Sequence, residues 1–174
     1  MSTPRYQLFL VIFFGLNALA DESPGLGEPV SANDLNALDV TVEPDGKGLP
    51  NGSGSAVEGA MVYQNHCFAC HGKTGEDGIN DRLTGGHGSL TTARPVKTLG
   101  SFWPYATTIF DYVRRAMPFQ TPGTLSNDEL YAVTAYLLFI NDVIDEEQMM
   151  NAESLPAVSM PNRDNFVWDF IPRN

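Results

Sequence analysis

The chain has 174 residues, with 10 basic and 21 acidic side chains and a formal net charge of −11. That surplus of acids argues against nucleic acid as a partner, and the length suits one small domain with extensions. Only two cysteines are present, so a single site can consume both.

At the N-terminus, Arg5 gives a short positive region, Leu8 to Leu16 an apolar run, and Ala18-Leu19-Ala20 a small-x-small cleavage site ahead of Asp21. About 13 apolar-leaning residues fall short of the roughly 20 that cross a hydrocarbon core. Residues 1–20 are therefore read as an export signal cleaved after Ala20, with no stable membrane span in the mature form. No cysteine follows the signal, so a lipid-modified terminus is not expected. The expected compartment is a bacterial periplasm, where free thiols would otherwise pair.

Residues 21–55 are rich in glycine, proline, acids and small polar side chains. Such a composition buries little apolar surface and predicts a flexible or loosely docked acidic leader. The acids cluster at the two ends of the chain. From Asp21 to Glu58 eight acids face only Lys47, and from Asp142 to Asn174 seven acids face Arg163 and Arg173. Between Gly59 and Asn141 six acids balance six bases. A field of this kind steers a basic partner and is damped by salt.

A first helix is predicted over about Ala56 to His66, with Gly59 and Tyr63 four apart on one face. A glycine inside a helix costs about 1 kcal/mol relative to alanine, so Gly59 predicts a close helix–helix approach. This helix ends at Cys67-Phe68-Ala69-Cys70-His71, the C-x-x-C-H signature of covalent haem attachment. Two thiols add across the porphyrin vinyl groups, and the histidine that follows supplies an axial nitrogen. A C-x-x-C redox pair is expected near a βαβ pattern, which is missing here. Structural zinc needs two more ligands at short spacing, and only His66 and His87 remain. One motif predicts one haem c.

From Gly72 to Gly100 recurrent glycines predict loops with tight turns. A second helix is predicted over about Pro104 to Ala116, with Ala106, Ile109, Phe110 and Val113 as its apolar stripe. The third opens at Ser126, with Glu129 completing a capping box and Leu125 and Leu130 placed as a hydrophobic staple. Leu130, Val133, Tyr136, Leu137 and Ile140 form its apolar face, and Asn141 is its expected stop. The expectation is an all-α, loop-rich domain over 56–141, with the cofactor supplying part of the core. The tail, 142–174, carries Phe166, Trp168 and Phe170, and is expected to wrap the domain or dock on a partner.

Haem brings two propionates, which are costly to leave uncompensated in a partly buried pocket. Arg94, Lys97, Arg114 and Arg115 are candidate partners, and Trp103 and Tyr105 could reach a propionate with indole N–H or phenol. For the sixth iron ligand the candidates are Met61, Met117, Met149, Met150, Met160, His66 and His87. Met61 and His66 lie on the helix before the motif. Met149 and Met150 are read as an acidic helix end at the surface, and His87 as part of a glycine-rich turn. Met117 follows the second helix directly and precedes Pro118, so it is the expected ligand, with His71 opposite. A thioether favours the ferrous state and raises the potential.

The order helix, C-x-x-C-H, loop, Ala116-Met117-Pro118, helix resembles the class I cytochromes c. Gly59 and Tyr63 resemble the family's N-terminal helix pair, which packs on an aromatic of the C-terminal helix, here Tyr136. Pro95 to Thr108, Asp111 to Pro118 and Met160 to Asp164 are similar to the cytochrome partners of periplasmic molybdenum sulfite and sulfane dehydrogenases. The resemblance implies that electrons from sulfur oxidation at a molybdenum-containing subunit pass through this haem to a downstream cytochrome or oxidase. It also implies that Met117 is the distal ligand. Sulfane dehydrogenase cytochrome subunits are usually longer, with two haems. The competing expectations are a general periplasmic electron shuttle and a haem enzyme of peroxidase or thiosulfate-converting type with a displaceable sixth ligand.

Overall fold

A computed structural model describes residues 26–167. The predicted export signal, and Trp168 and Phe170 of the tail, lie outside them. The elements run α1 (Ala32–Leu38), β1 (Ser53–Gly54), α2 (Ala56–His66), α3 (Phe68–His71), α4 (Ala106–Ala116), α5 (Asn127–Phe139) and β2 (Met150–Asn151). Short 3-10 turns occur at Ser89–Thr91, Leu155–Ala157 and Arg163–Asn165. The architecture is that of a small helical domain, and among the described residues no helix is long and apolar enough to cross a membrane.

The two helices that form the frame, α2 and α5, begin at matching capping boxes. Ser126 accepts from the Glu129 backbone N–H while the Glu129 carboxylate accepts from Ser126. Ser55 and Glu58 do the same for α2. Each box satisfies two backbone donors that a helix start would otherwise leave unpaired. Both carboxyls are held below their ordinary value, first by the serine backbone N–H and then by its hydroxyl.

α2 crosses α5 in contact at Gly59. A side chain there would collide with the backbone carbonyl of Ala132, so only glycine permits the approach. One turn on, the Tyr63 ring packs on Tyr136 with centroids 5.1 Å apart. The Tyr63 hydroxyl donates to the Gly72 carbonyl at 2.9 Å, fixing the exit from α3. Burial raises the Tyr63 phenol well above its usual range and keeps it a donor.

The apolar stripe expected on α4 is the buried one: Ala106, Ile109, Phe110 and Val113. On α5 burial goes further than one face. Leu130, Tyr131, Ala132, Val133, Thr134, Ala135, Leu137 and Leu138 are all buried, because α5 is covered by α2, α4 and both strands. Asn141 lies just beyond the C-cap Ile140; its buried amide donates to the carbonyls of Leu137 at 2.8 Å and Leu83 at 3.2 Å.

The leader divides at about Val40. Residues before it, including α1, are mainly exposed, with Leu35 and Leu38 more than half accessible. From Val40 onward it forms a strap against the domain. Val42 is buried, Tyr131 donates to the Pro50 carbonyl at 2.8 Å, and the Ser53 N–H donates to Asp128 at 2.8 Å. The tail packs beside the strap, with Pro156 against Gly46. β2 pairs antiparallel with β1, joining Ser53 to Asn151 and Gly54 to Met150.

Met150, Leu155, Val158 and Met160 are buried in the same apolar cluster as α4 and α5. Met150 is therefore a core residue and not part of a surface segment; the acids beside it, Glu146 and Glu147, point to solvent while the strand turns the methionine inward. Beyond it the Asn162 amide donates to the Phe102 carbonyl, and Phe166 stacks edge-on against Phe102.

Candidate haem site

α2 and α3 deliver the C-x-x-C-H pentapeptide at a helix junction. Cys67 caps α2 through its N–H to the Tyr63 carbonyl, and α3 then turns Cys70 and His71 back toward the interior. Cys67, Cys70, His71 and Met117 all line one cavity of about 930 Å³. That volume lies in the upper part of the ~300–1,000 Å³ range of cofactor and ligand sites. Its walls are largely aliphatic: Leu83, Leu99, Ile109, Val113, Val133 and Leu137.

The pocket chemistry fits a haem. Both cysteines lie on the wall, where burial, with the neighbouring Cys70, pushes the Cys67 thiol up to about 11. The His71 Nδ1 lies 2.9 Å from the Asp81 carbonyl. A ring N–H donated there commits the proton to Nδ1 and leaves Nε2 as the lone-pair nitrogen. The loop holding Asp81 is pressed on the motif itself: the Asn80 N–H donates to the Cys70 carbonyl at 3.0 Å, and a side chain at Gly78 would collide with the Cys70 and His71 backbone.

The candidate propionate partners separate. Lys97 and Trp103 line the cavity. The Lys97 ammonium sits 4.7 Å over the Phe102 ring, and Trp103 stacks edge-on with Tyr112 at 5.7 Å. Arg94, Tyr105, Arg114 and Arg115 do not line it. Arg94 is exposed, Tyr105 packs beneath the Arg163 guanidinium, and Arg114 turns to the leader, where it donates to the Val40 carbonyl at 3.3 Å. Arg115 pairs with Asp111.

Among the other ligand candidates, His66 lines the cavity while His87 is exposed and outside it. Met61 and Met149 are exposed, and Met150 and Met160 are buried in the core away from the cavity. Among the described residues no group of three or more His, Cys, Asp or Glu could hold a metal ion.

Three features of the lining escaped sequence reasoning. Arg82 lies on the wall, tied to Glu76 at 2.6 Å. Ile79 and Phe119 line the cavity yet are more than three-quarters exposed, which marks an apolar rim. Tyr112, at an intermediate position on α4, was hidden by the assumption of one apolar stripe. The signal for Tyr112 was its position three residues, one helical turn, after Ile109; for Arg82 and Asp81 there was none.

A helical domain that brings a C-x-x-C-H pair of thiols, its histidine and a methionine to one apolar cavity defines a c-type cytochrome, and the chain belongs to that family. Residues 54–137 match the family described as cytochrome C oxidase, cbb3-type, subunit III. The fold is also similar to a chain in the crystal structure of the sulfane dehydrogenase SoxCD from Paracoccus pantotrophus, at 42% identity and a TM-score of 0.77. That match covers 84% of this chain and 73% of the other. None of the curated proteins compared matches the chain. The protein is thus an electron-transfer cytochrome that binds haem c covalently.

Proposed function

We propose that the protein is a periplasmic single-haem carrier that takes electrons one at a time from a molybdenum sulfite or sulfane dehydrogenase and passes them to a downstream cytochrome or oxidase. Cys67 and Cys70 would hold the haem covalently, and His71 and Met117 would hold its iron. The observation that carries this reading is the convergence of those four residues on one cavity. Bound haem would supply a one-electron couple; the chain supplies a largely apolar setting open at the rim of Ile79 and Phe119.

His71 is oriented by the Asp81 carbonyl, and Met117 is placed by the end of α4, whose hydrogen-bond ladder reaches it through the Met117 N–H to the Val113 carbonyl at 3.0 Å. With His71 and Met117 both holding the iron, no substrate bond would be made there. The exposed Ile79 and Phe119 provide the rim through which an electron would enter or leave. The choice of a sulfur-oxidising donor is supported by the similarity to the SoxCD chain. It extends beyond the span of the cytochrome family match into both flanks, since 84% of the chain is covered against residues 54–137 for the family. An export signal over residues 1–20 supports the periplasm.

Mixing the purified holoprotein with a molybdenum sulfite or sulfane dehydrogenase should produce reduced haem on addition of the sulfur substrate. Reduction by neither dehydrogenase would remove the proposed donor. Carbon monoxide should leave the reduced spectrum unchanged at neutral pH. Ready binding would favour the haem-enzyme alternative.

A further inference from the structure

Both sides of α4 are occupied. Ile109, Val113 and, at its end, Met117 line the cavity. Thr107, Asp111 and Arg114 recur at helical spacing on the other side and meet the strap of the leader. The Asp111 carboxylate is the centre of that contact. Although only 6% of its surface is exposed, it lies on no wall of the cavity. Its Oδ1 accepts the Val42 backbone N–H at 3.0 Å, and its Oδ2 accepts from Arg115. Arg114 adds a second tie, to the Val40 carbonyl at 3.3 Å.

A buried carboxylate is costly, and an apolar residue beside Val42 would fill the same space without that cost. What the carboxylate adds is direction. It binds a backbone N–H 69 residues away in sequence and so fixes where the strap crosses the helix. Five helical residues, Tyr112 to Ala116, then separate Asp111 from the C-cap Met117, about 7.5 Å of rigid rise to the helix end.

We propose that Asp111 is a positioning residue for the distal ligand. By clasping the strap to the back of α4, it fixes the helix end and hence the thioether of Met117, and so governs how readily an outside ligand displaces that sulfur. The inference rests on Met117 as the axial ligand.

The test uses ferric holoprotein, titrated with cyanide while the methionine–iron charge-transfer band is followed. Asp111→Ala is expected to retain covalent haem, lower the reduction potential and bind cyanide about tenfold more tightly than the parent. Asp111→Asn keeps an acceptor for the Val42 N–H and should recover most of the parent affinity. Arg114→Ala removes the second tie and should shift affinity about threefold in the same direction.

Leu130→Ala is a control that weakens the core away from the cavity; it should leave cyanide affinity at the parent value. Parent-like affinity in Asp111→Ala, or an equal shift in Leu130→Ala, would overturn the clasp. If Asp111→Ala yields no holoprotein, Arg114→Ala decides: a threefold shift supports the clasp and no shift overturns it. Met117→Ala separates the two claims. A retained methionine band there would sink the ligand assignment, whereas its loss beside an unmoved Asp111→Ala would sink only the clasp.

Discussion

α2 and α4 both deliver residues to the same cavity, but they are held in place by different means. α2 is locked to α5 through bare backbone at Gly59 and a tyrosine pair. α4 is packed by an apolar stripe on one side and tied on the other by polar bonds to the leader. Backbone contact leaves no slack, because nothing can rotate away. Side-chain ties can loosen without the fold being lost. The attachment motif therefore hangs from the rigid helix, and the methionine from the adjustable one.

The largest effect is expected where the rigid contact is broken. Gly59→Val forces α2 off the Ala132 carbonyl and should destabilise the protein by about 3 kcal/mol or more, read from the denaturant midpoint of the holoprotein. A midpoint equal to the parent's would show that the helices part freely, and the contrast would fail.

On the adjustable side, Met117→Ala should leave haem attached, admit carbon monoxide, and lower the potential by on the order of 0.1 V, a fraction of the range axial ligands command. An unchanged potential in a redox titration would take Met117 out of its role. A smaller effect is expected from Ser126→Ala, about 1 kcal/mol through loss of the α5 cap, measured by thermal or urea unfolding.

The smallest is a pH effect. Because Glu129 is held below its ordinary value by Ser126, its contribution is complete above the unfolded carboxyl value of about 4.3 and is lost as pH falls through the folded one. The stability gap between the parent and Glu129→Gln should be widest at neutrality and close in acid. A gap that stayed open well below both values would assign it to packing.

The attachment motif, the place of Met117 at the end of α4 and the three main helices were legible because each depends on local pattern: a pentapeptide, an amphipathic stripe, a capping box. The Ser55–Glu58 box had the same S-x-x-E spacing as Ser126–Glu129 and could have been read with it. The strap was not legible. Its anchors are the Val42 N–H and the carbonyls of Val40 and Pro50, main-chain groups that every sequence carries, set in a stretch whose composition signals looseness.

Arg114 was expected to serve the haem because charge alone does not tell which side of a helix it occupies. The stripe of Ala106, Ile109, Phe110 and Val113 contained the answer, since it leaves 107, 111 and 114 on another line. Asp81 acts through its carbonyl, so its side-chain identity gave no clue.

The ladder between β1 and β2 has a practical corollary. It splices the segment before the cytochrome domain to the segment after it, and it seats Met150 beneath both. Anyone excising 54–137 as a minimal unit would cut through that seam and lay bare the ground that Leu155, Val158 and Met160 cover. A piece that keeps both the strap and this seam has to run at least from Val40 to Asn162, buckle included.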